Sequence, residues 1–370
     1  MPRLLASLFL SLLVASSAPA VTMAWSPVGN PGNPADPGLS QYNYYPRCGA
    51  NYDQSCGAVP YAYSIGTYDV TNAQYAEFLN AKAASDPYGL YNSSMGDPSP
   101  SSSSFGGFGG ITRSGSSGSY SFTAIAGREN MPVNNISFYD ALRFANWMNN
   151  GQGSGDTETG AYTLLGGTAT PSNGTTITRN AGAMIAVTSE NEWYKAAYFD
   201  AATTSYFVSP ARINTQMSCA SPGATPNTAN CSYVVNFPDG DLTPVGSYTG
   251  SASPYGTFDQ GGNVFQWVEL SSGSTRSRRG ASFSDIPSDA GSSHRFFTDA
   301  TYEMNDTGFR LVLIPEPGTG LLVIAGLVGI TVRRRSLTYQ RYLGGDDYQG
   351  VGSRRPRRRS AIAAPAPSVI

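Results

Sequence analysis

One segment near the C-terminus holds most of the side chains that could transfer a proton. Asp285, Asp289, His294, Arg295 and Asp299 lie within fifteen residues of one another, and a carboxylate beside a histidine can act as acid and base. The alternative is a polar loop whose histidine is hydrogen-bonded or solvated, and we favour that alternative. His294 is the only histidine in the chain, which argues against a histidine-based metal centre.

Four cysteines could form two disulfides. They fall into two local pairs, Cys48 with Cys56 and Cys219 with Cys231, and neither pair has the C-x-x-C spacing of a zinc or redox site. An even number of cysteines in an exported chain indicates disulfides, although three connectivities are open. We expect pairing within each local pair.

Three helix starts share one pattern, in which a hydroxyl residue precedes a hydrogen-bonding side chain by three positions. The pattern occurs at Thr71, Ser137 and Ser189, all before residue 200. After residue 200, glycine clusters are followed by aromatic and aliphatic residues, which indicates short strands and shaped loops. The sequence therefore predicts an α+β fold that is rich in loops, with three main helices in its N-terminal half and short strands in its C-terminal half.

Composition favours one exported domain. The chain has 370 residues with 42 Gly, 25 Pro and only 13% charged residues, a mixture typical of loop-rich secreted domains. Nine arginines and two aspartates follow Val332. The remainder is therefore acidic, and we expect no nucleic-acid partner for it.

Three blocks carry a resemblance to a known family. Gly261–Glu269 reads GGNVFQWVE, Arg278–Phe283 reads RRGASF and Gly308–Val312 reads GFRLV. They resemble the GNVWEW, RGGSW and GFR blocks of formylglycine-generating enzymes, the sulfatase-modifying factors, and the segments around Thr71 and Ser189 resemble earlier family blocks. The resemblance implies a C-type-lectin-like fold.

The same resemblance puts the family's chemistry in doubt. Active members resemble one another in two cysteines after the RGGSW block, whose thiolates hold copper(I), a soft ion that favours sulfur. Here Asp285 and Ala290 stand at those positions. We therefore expect no catalytic residues and no copper, and the alternative is a formylglycine-generating-type oxidoreductase acting on a protein cysteine without the usual thiols.

The resemblance also implies a structural calcium site. Carried over, its ligands are Asp259, Gly262, Val264 and Gln266, the glycine and valine through their backbone carbonyls. Asp259 is a good hard-oxygen ligand, whereas Gln266 replaces the family's glutamate and loses its charge. The sequence leaves the presence of calcium open.

Recognition is the remaining option, because variable loops on a rigid frame suit ligand binding. A polar and aromatic face between the RGASF and GFRLV blocks could bind a polysaccharide or a protein, or could merely cover the core. The candidate residues are Ser282, Ser284, Asp285, Ser292, Ser293, His294, Arg295, Phe296 and Tyr302.

The N-terminus resembles a secretory signal peptide, with Arg3 ahead of an apolar run. Cleavage is predicted after Ala18-Pro19-Ala20 or after Thr22-Met23-Ala24. We assign residues 1–24 to the signal peptide and 25–314 to the sulfatase-modifying-factor-like domain.

The C-terminus resembles a PEP-CTERM sorting signal over residues 315–335, with a Pro-Glu-Pro motif, an apolar transmembrane helix and three arginines. The resemblance implies recognition by an exosortase-type enzyme, so the protein would be exported, anchored in the membrane and then released to the cell surface. Residues 336–370 are predicted to be a disordered basic tail, which either binds anionic lipid or has no role.

Overall fold

The computed structural model describes residues 20–37, 56–235 and 240–315, and these all lie in one compact unit. The predicted transmembrane helix, the basic tail and most of the predicted signal peptide lie outside the described residues. Among the residues that are described, no helix combines the length and apolar character needed to cross a bilayer.

Three α-helices occur where the capping pattern predicts them. They are α1 (Asn72–Lys82), α2 (Phe138–Asn149) and α3 (Glu190–Tyr198), and each begins with a complete capping box. In each box the side chain of the capping residue accepts a backbone N–H, and the third helical residue returns a hydrogen bond to the cap. The α+β prediction with three main helices is confirmed.

Fourteen short strands and two 3₁₀ helices, Ser93–Gly96 and Pro287–Ala290, complete the described secondary structure. In chain order the strands are β1 (Trp25–Val28), β2 (Tyr63–Gly66), β3 (Ile111–Ser114), β4 (Ser121–Ala124), β5 (Ile185–Val187), β6 (Phe199–Asp200), β7 (Ser205–Tyr206), β8 (Ser218–Cys219), β9 (Thr228–Ala229), β10 (Phe265–Ser272), β11 (Thr275–Arg279), β12 (Phe296–Asp299), β13 (Thr307–Phe309) and β14 (Leu311–Leu313).

Two four-stranded sheets organise these strands. One has the order β1-β2-β14-β5 and is antiparallel throughout. The other has the order β12-β11-β10-β13, with β13 parallel to β10. Because β13 and β14 are separated only by Arg310, this one residue connects the two sheets along the chain.

The core is densest where α1 packs on α2. Phe78 and Trp147 have ring centroids 5.3 Å apart, and Phe144 lies at the same distance from Phe78 and from Phe309. Trp147 is buried, so it serves the core as its helical spacing predicts. Aromatic rings in such edge and tilted contacts add to the stabilisation from burial.

The disulfide prediction is confirmed for the second pair. Cys219 and Cys231 are joined, with their Cα atoms 5.1 Å apart. Cys56 is also disulfide-bonded, whereas Cys48 of the first predicted pair lies outside the described residues.

Residues 21–24, which fall within the predicted signal peptide, alternate between buried and exposed positions. Val21 and Met23 are buried in the hydrophobic core, whereas Thr22 and Ala24 are exposed. This alternation is that of an extended chain with one face on the core.

Candidate functional site

The loop after β11 is held at both ends by one arginine. Arg279 is fully buried, and its Nε donates to Glu190 Oε1 at the start of α3 (2.7 Å). Its Nη1 also donates to the backbone carbonyls of Ser292 (2.9 Å) and His294 (2.8 Å). The residue that begins the loop therefore fixes the residues that end it, and a buried charge so paired is costly to displace.

At the first of the two positions where the sequence resemblance predicts a cysteine, Asp285 bonds to its own loop. Asp285 Oδ2 accepts the Ser282 backbone N–H (3.0 Å) and the Ser282 hydroxyl. The Asp285 carbonyl accepts the backbone N–H of Ser232 (2.9 Å). Burial raises the pKa of Asp285 to about 6. Asp285 thus closes a turn, and its bonded oxygen does not face a ligand.

The second position lines a cavity of about 250 Å³ that opens beside the loop. Ala290 is buried in a small apolar cluster that also contains Met217. The cavity lies between two segments of the chain, and its walls mix apolar side chains with hydroxyl, amide and imidazole groups. Its lining residues are Val208, Ser209, Gln216, Met217, Pro287, Ser288, Ala290, Gly291, Ser293 and His294.

A histidine and a carboxylate meet at this cavity. His294 Nδ1 lies 3.1 Å from Asp289 Oδ1, and the imidazole side chain is 42% exposed. At this distance Nδ1 can donate a hydrogen bond to the carboxylate oxygen, and an imidazole can offer its other ring nitrogen to a ligand. Ser288 Oγ also donates to Asp289 Oδ1 (3.4 Å). The site can accept hydrogen bonds from hydroxyl or amine groups.

The predicted ligand face is brought together only in part. Ser293 and His294 line the cavity, while Phe296 and Tyr302 are exposed outside it. Ser284 is half-buried and turned toward the Ser282 hydroxyl (3.0 Å).

Three members of that face are buried and present no surface to a ligand: Ser282, Ser292 and Arg295. The Arg295 guanidinium lies 4.8 Å from the Phe297 ring centroid and 3.7 Å from Glu190 Oε1. The physical reason is charge, because Glu190 at the start of α3 draws the cation inward.

The side of the cavity that residues 208–217 supply was not predicted. Val208 and Met217 reach the loop only through long-range packing, including the bond from the Ser292 N–H to the Val208 carbonyl (2.9 Å). No local pattern in the sequence of residues 208–217 predicts this contact. The nearby Cys219–Cys231 pair was the one available indication that this segment is folded.

Two of the four predicted calcium ligands, Gln266 and Asp259, are engaged in hydrogen bonds within the protein. Gln266 Oε1 accepts Trp193 Nε1–H (2.6 Å) and Arg310 Nε–H (3.1 Å). Gln266 Nε2 donates to the Asp259 carbonyl (2.7 Å), and Asp259 Oδ2 accepts the Gly246 N–H (2.6 Å). A calcium ligand needs a lone pair free of such donors.

A guanidinium supplies the positive charge in this region instead. Arg310 Nη2 lies 3.1 Å from Asp69 Oδ1, and both side chains are fully buried. Arg310 also donates to the carbonyls of Gly66 and Phe258, each at 2.6 Å. Burial raises the pKa of Asp69 to about 8 and that of Asp259 to about 6. Across the described residues, no cluster of three or more His, Cys, Asp or Glu side chains could hold a metal ion.

Fold and site together define an α+β domain of the sulfatase-modifying-factor type. Residues 55–314 match the FGE-sulfatase family, described as the sulfatase-modifying factor enzyme 1-like domain. The match covers more than half of the chain, and the chain belongs to this family.

Solved structures that are similar to this chain are distant from it in sequence. Treponema denticola variable protein 1 is 16% identical with a TM-score of 0.52, covering 81% of this chain and 98% of its own. CarF is 20% identical (TM-score 0.49; 80% and 99% covered), and PvdO from Pseudomonas aeruginosa is 15% identical (0.42; 79% and 92%). Only the first similarity supports the shared fold. None of the curated proteins matches the chain.

Proposed function

We propose that this protein is a non-catalytic binding module of the cell envelope, and that its ligand enters the cavity beside Ala290. One observation carries the proposal. At the two positions where the family places copper-binding cysteines, Asp285 is bonded to its own turn and Ala290 forms the wall of a cavity. A carboxylate and a methyl group cannot replace a pair of thiolates as ligands of copper(I).

The other cysteines do not supply the missing sulfur. Within the described residues Cys56, Cys219 and Cys231 are all disulfide-bonded. A disulfide offers neither a thiolate nucleophile nor a thiolate ligand. The alternative function is oxidation of a substrate cysteine to formylglycine, and only family membership supports it.

The cavity suits a small neutral group with several hydroxyls. Its volume of about 250 Å³ lies below the roughly 300–1,000 Å³ typical of sites for drug-sized ligands. Met217 and Ala290 offer an apolar surface, while His294 and three serines offer hydrogen bonds. One sugar unit of a polysaccharide fits this combination, because a sugar ring presents both C–H faces and hydroxyls.

Binding is tested by titrating oligosaccharides into the full chain and following the affinity by calorimetry. We expect His294→Ala to weaken binding about tenfold, since it removes one acceptor worth about 1–1.5 kcal/mol. Thr123→Ala, an exposed residue on β4, is the matched control. Equal affinities for the two variants would contradict a site at this cavity. Binding of a protein and not of an oligosaccharide would show that the proposed ligand class is wrong.

Catalysis is tested separately with a Cys-x-Pro-x-Arg peptide, the substrate motif that the family resemblance implies. The folded full chain is incubated with the peptide with and without copper(I), and mass spectrometry follows the cysteine. We expect no conversion to formylglycine. Copper-dependent conversion would overturn the non-catalytic proposal.

The envelope location rests on the two terminal sequence signals. An N-terminal signal peptide would export the chain, and an exosortase-type enzyme would act on residues 315–335 after their apolar helix enters the membrane. The location is tested by fractionating cells that produce either the intact chain or a variant that lacks residues 315–335. Only the intact chain is expected to pass through the membrane fraction.

A further inference from the structure

Residues 21–24 are tied to the fold by both side chains and backbone. The Val21 N–H donates to Gln152 Oε1 (2.6 Å), and Gln152 Nε2 donates to the Val21 carbonyl (2.9 Å). The Thr22 carbonyl accepts Gln74 Nε2 (2.9 Å), and the Ala24 carbonyl accepts the Thr67 N–H (2.8 Å). Every residue of this segment except Met23 therefore has a backbone hydrogen bond into the domain.

Gln74 connects this N-terminal segment to α1. Its Oε1 accepts the Thr71 N–H (2.9 Å) as part of the capping box of α1, while its Nε2 reaches the Thr22 carbonyl. One side chain thus joins the N-terminal segment to the start of the first helix. Met23 is buried in the hydrophobic core beneath this connection.

The two signal-peptide cleavage sites predicted from the sequence have different consequences for this arrangement. Cleavage after Ala24 would remove two buried side chains and leave the Gln152 amide without its two partners. Cleavage after Ala20, which is exposed, leaves every one of these contacts in place. The small residues Ala18 and Ala20 also satisfy the A-x-A pattern of the first site.

We infer that the exported protein is cut between Ala20 and Val21, so that residues 21–24 are the first strand-like segment of the mature domain. A signal peptidase would catalyse addition of water across this amide. The water oxygen bonds to the Ala20 carbonyl carbon, the C–N bond breaks, and the Val21 nitrogen becomes an ammonium group. That ammonium keeps its hydrogen bond to Gln152 Oε1. The inference rests on the export part of the proposed function and not on the ligand cavity.

The test is the N-terminus of the full chain after export from a Gram-negative host. Free α-amines are labelled before digestion, and the labelled N-terminal peptide is identified by mass spectrometry. We expect Val21 as the first residue. Trp25 as the first residue would overturn the cleavage site while leaving export intact, and retention of Met1 would overturn export itself.

Two exposed alanines provide matched variants for the same experiment. Ala20→Glu should abolish the Val21 terminus, because a large charged residue is not accepted next to the cut. Ala24→Glu should leave it unchanged. The opposite result would assign cleavage to the second site.

A stability measurement on the purified exported chain gives an independent readout. If residues 21–24 are retained, Met23→Ala should lower the Tm by about 5–10 °C through loss of core packing. Thr22→Ala, on the exposed side of the same segment, should leave it unchanged. If the chain is cut after Ala24, the two variants yield identical mature proteins and identical melting temperatures.

Discussion

The two regions where the sequence resemblance predicts metal ligands differ in what their residues contact. Around Gln266 the space is filled, since a buried guanidinium and an indole N–H take the positions from which a cation would be bound. Around Ala290 a cavity lined by serines and a half-exposed histidine remains. A filled site can contribute only to stability, whereas an open one can still take a ligand. Substitutions in the two regions should therefore affect different measurements.

The largest effect is expected from Arg310→Met. It removes the buried partner of Asp69 and the donors to the Gly66 and Phe258 carbonyls. We expect a loss of roughly 3–5 kcal/mol in the free energy of unfolding, measured by urea denaturation. Arg212→Met, at an exposed position, is the control and should change stability by less than about 0.5 kcal/mol. Similar losses in both variants would mean that the filled site does not stabilise the fold.

A smaller loss is expected from Gln266→Met, which keeps the length of the side chain but removes both of its hydrogen-bonding groups. Trp193 Nε1–H then loses its buried acceptor, at a cost of about 2–3 kcal/mol. The coupling with Trp193→Phe should be about 1 kcal/mol in a double-mutant cycle. Strict additivity of the two substitutions would show that this hydrogen bond has no energetic role.

In the loop beside the open site, Asp285→Asn should change the pH dependence of stability. Because burial raises the pKa of Asp285 from 3.8 to about 6, the folded state holds a proton between these values that the unfolded chain has released. The stabilisation is therefore present below about pH 4 and lost as the pH rises through 6. The difference in free energy of unfolding between the native protein and Asp285→Asn should fall by about 1–2 kcal/mol from pH 4 to pH 7.

Asp156→Asn is the control with the opposite sign. Hydrogen bonds from the Thr159 hydroxyl and the Glu158 N–H lower the pKa of Asp156, so its contribution is lost as the pH falls. Parallel pH curves for both variants would contradict the assignment to Asp285.

The smallest effect is expected from calcium. With the Gln266 oxygen engaged by two N–H groups, millimolar calcium and a chelator should give melting temperatures within about 1 °C of each other. A calcium-dependent increase of several degrees would show that Gln266 and Asp259 rearrange around the ion. It would also make the two regions more alike than their present contacts indicate.

The accuracy of the sequence predictions followed the range of the interactions involved. All three capping boxes were predictable because a residue such as Ser189 bonds to a partner three positions away. The same locality explains why the Cys219–Cys231 pair was predictable.

The contacts of Gln266 with Trp193 and Arg310 span 73 and 44 residues, and no local pattern encodes them. The burial of Arg295 and the second wall of the cavity likewise depend on which distant segments pack together. The fold class could thus be predicted almost completely, but the candidate site only in part.

The hydrogen bonds from Arg279 to the Ser292 and His294 carbonyls have a consequence for protein engineering. Arg279 connects the two ends of the loop to α3 through two backbone carbonyls and one buried ion pair, and none of these contacts uses a side chain of residues 286–289. Residues 286–289 are consequently a natural place to graft or randomise a short peptide. A display library built there would change the chemistry beside the cavity while the scaffold stayed constant.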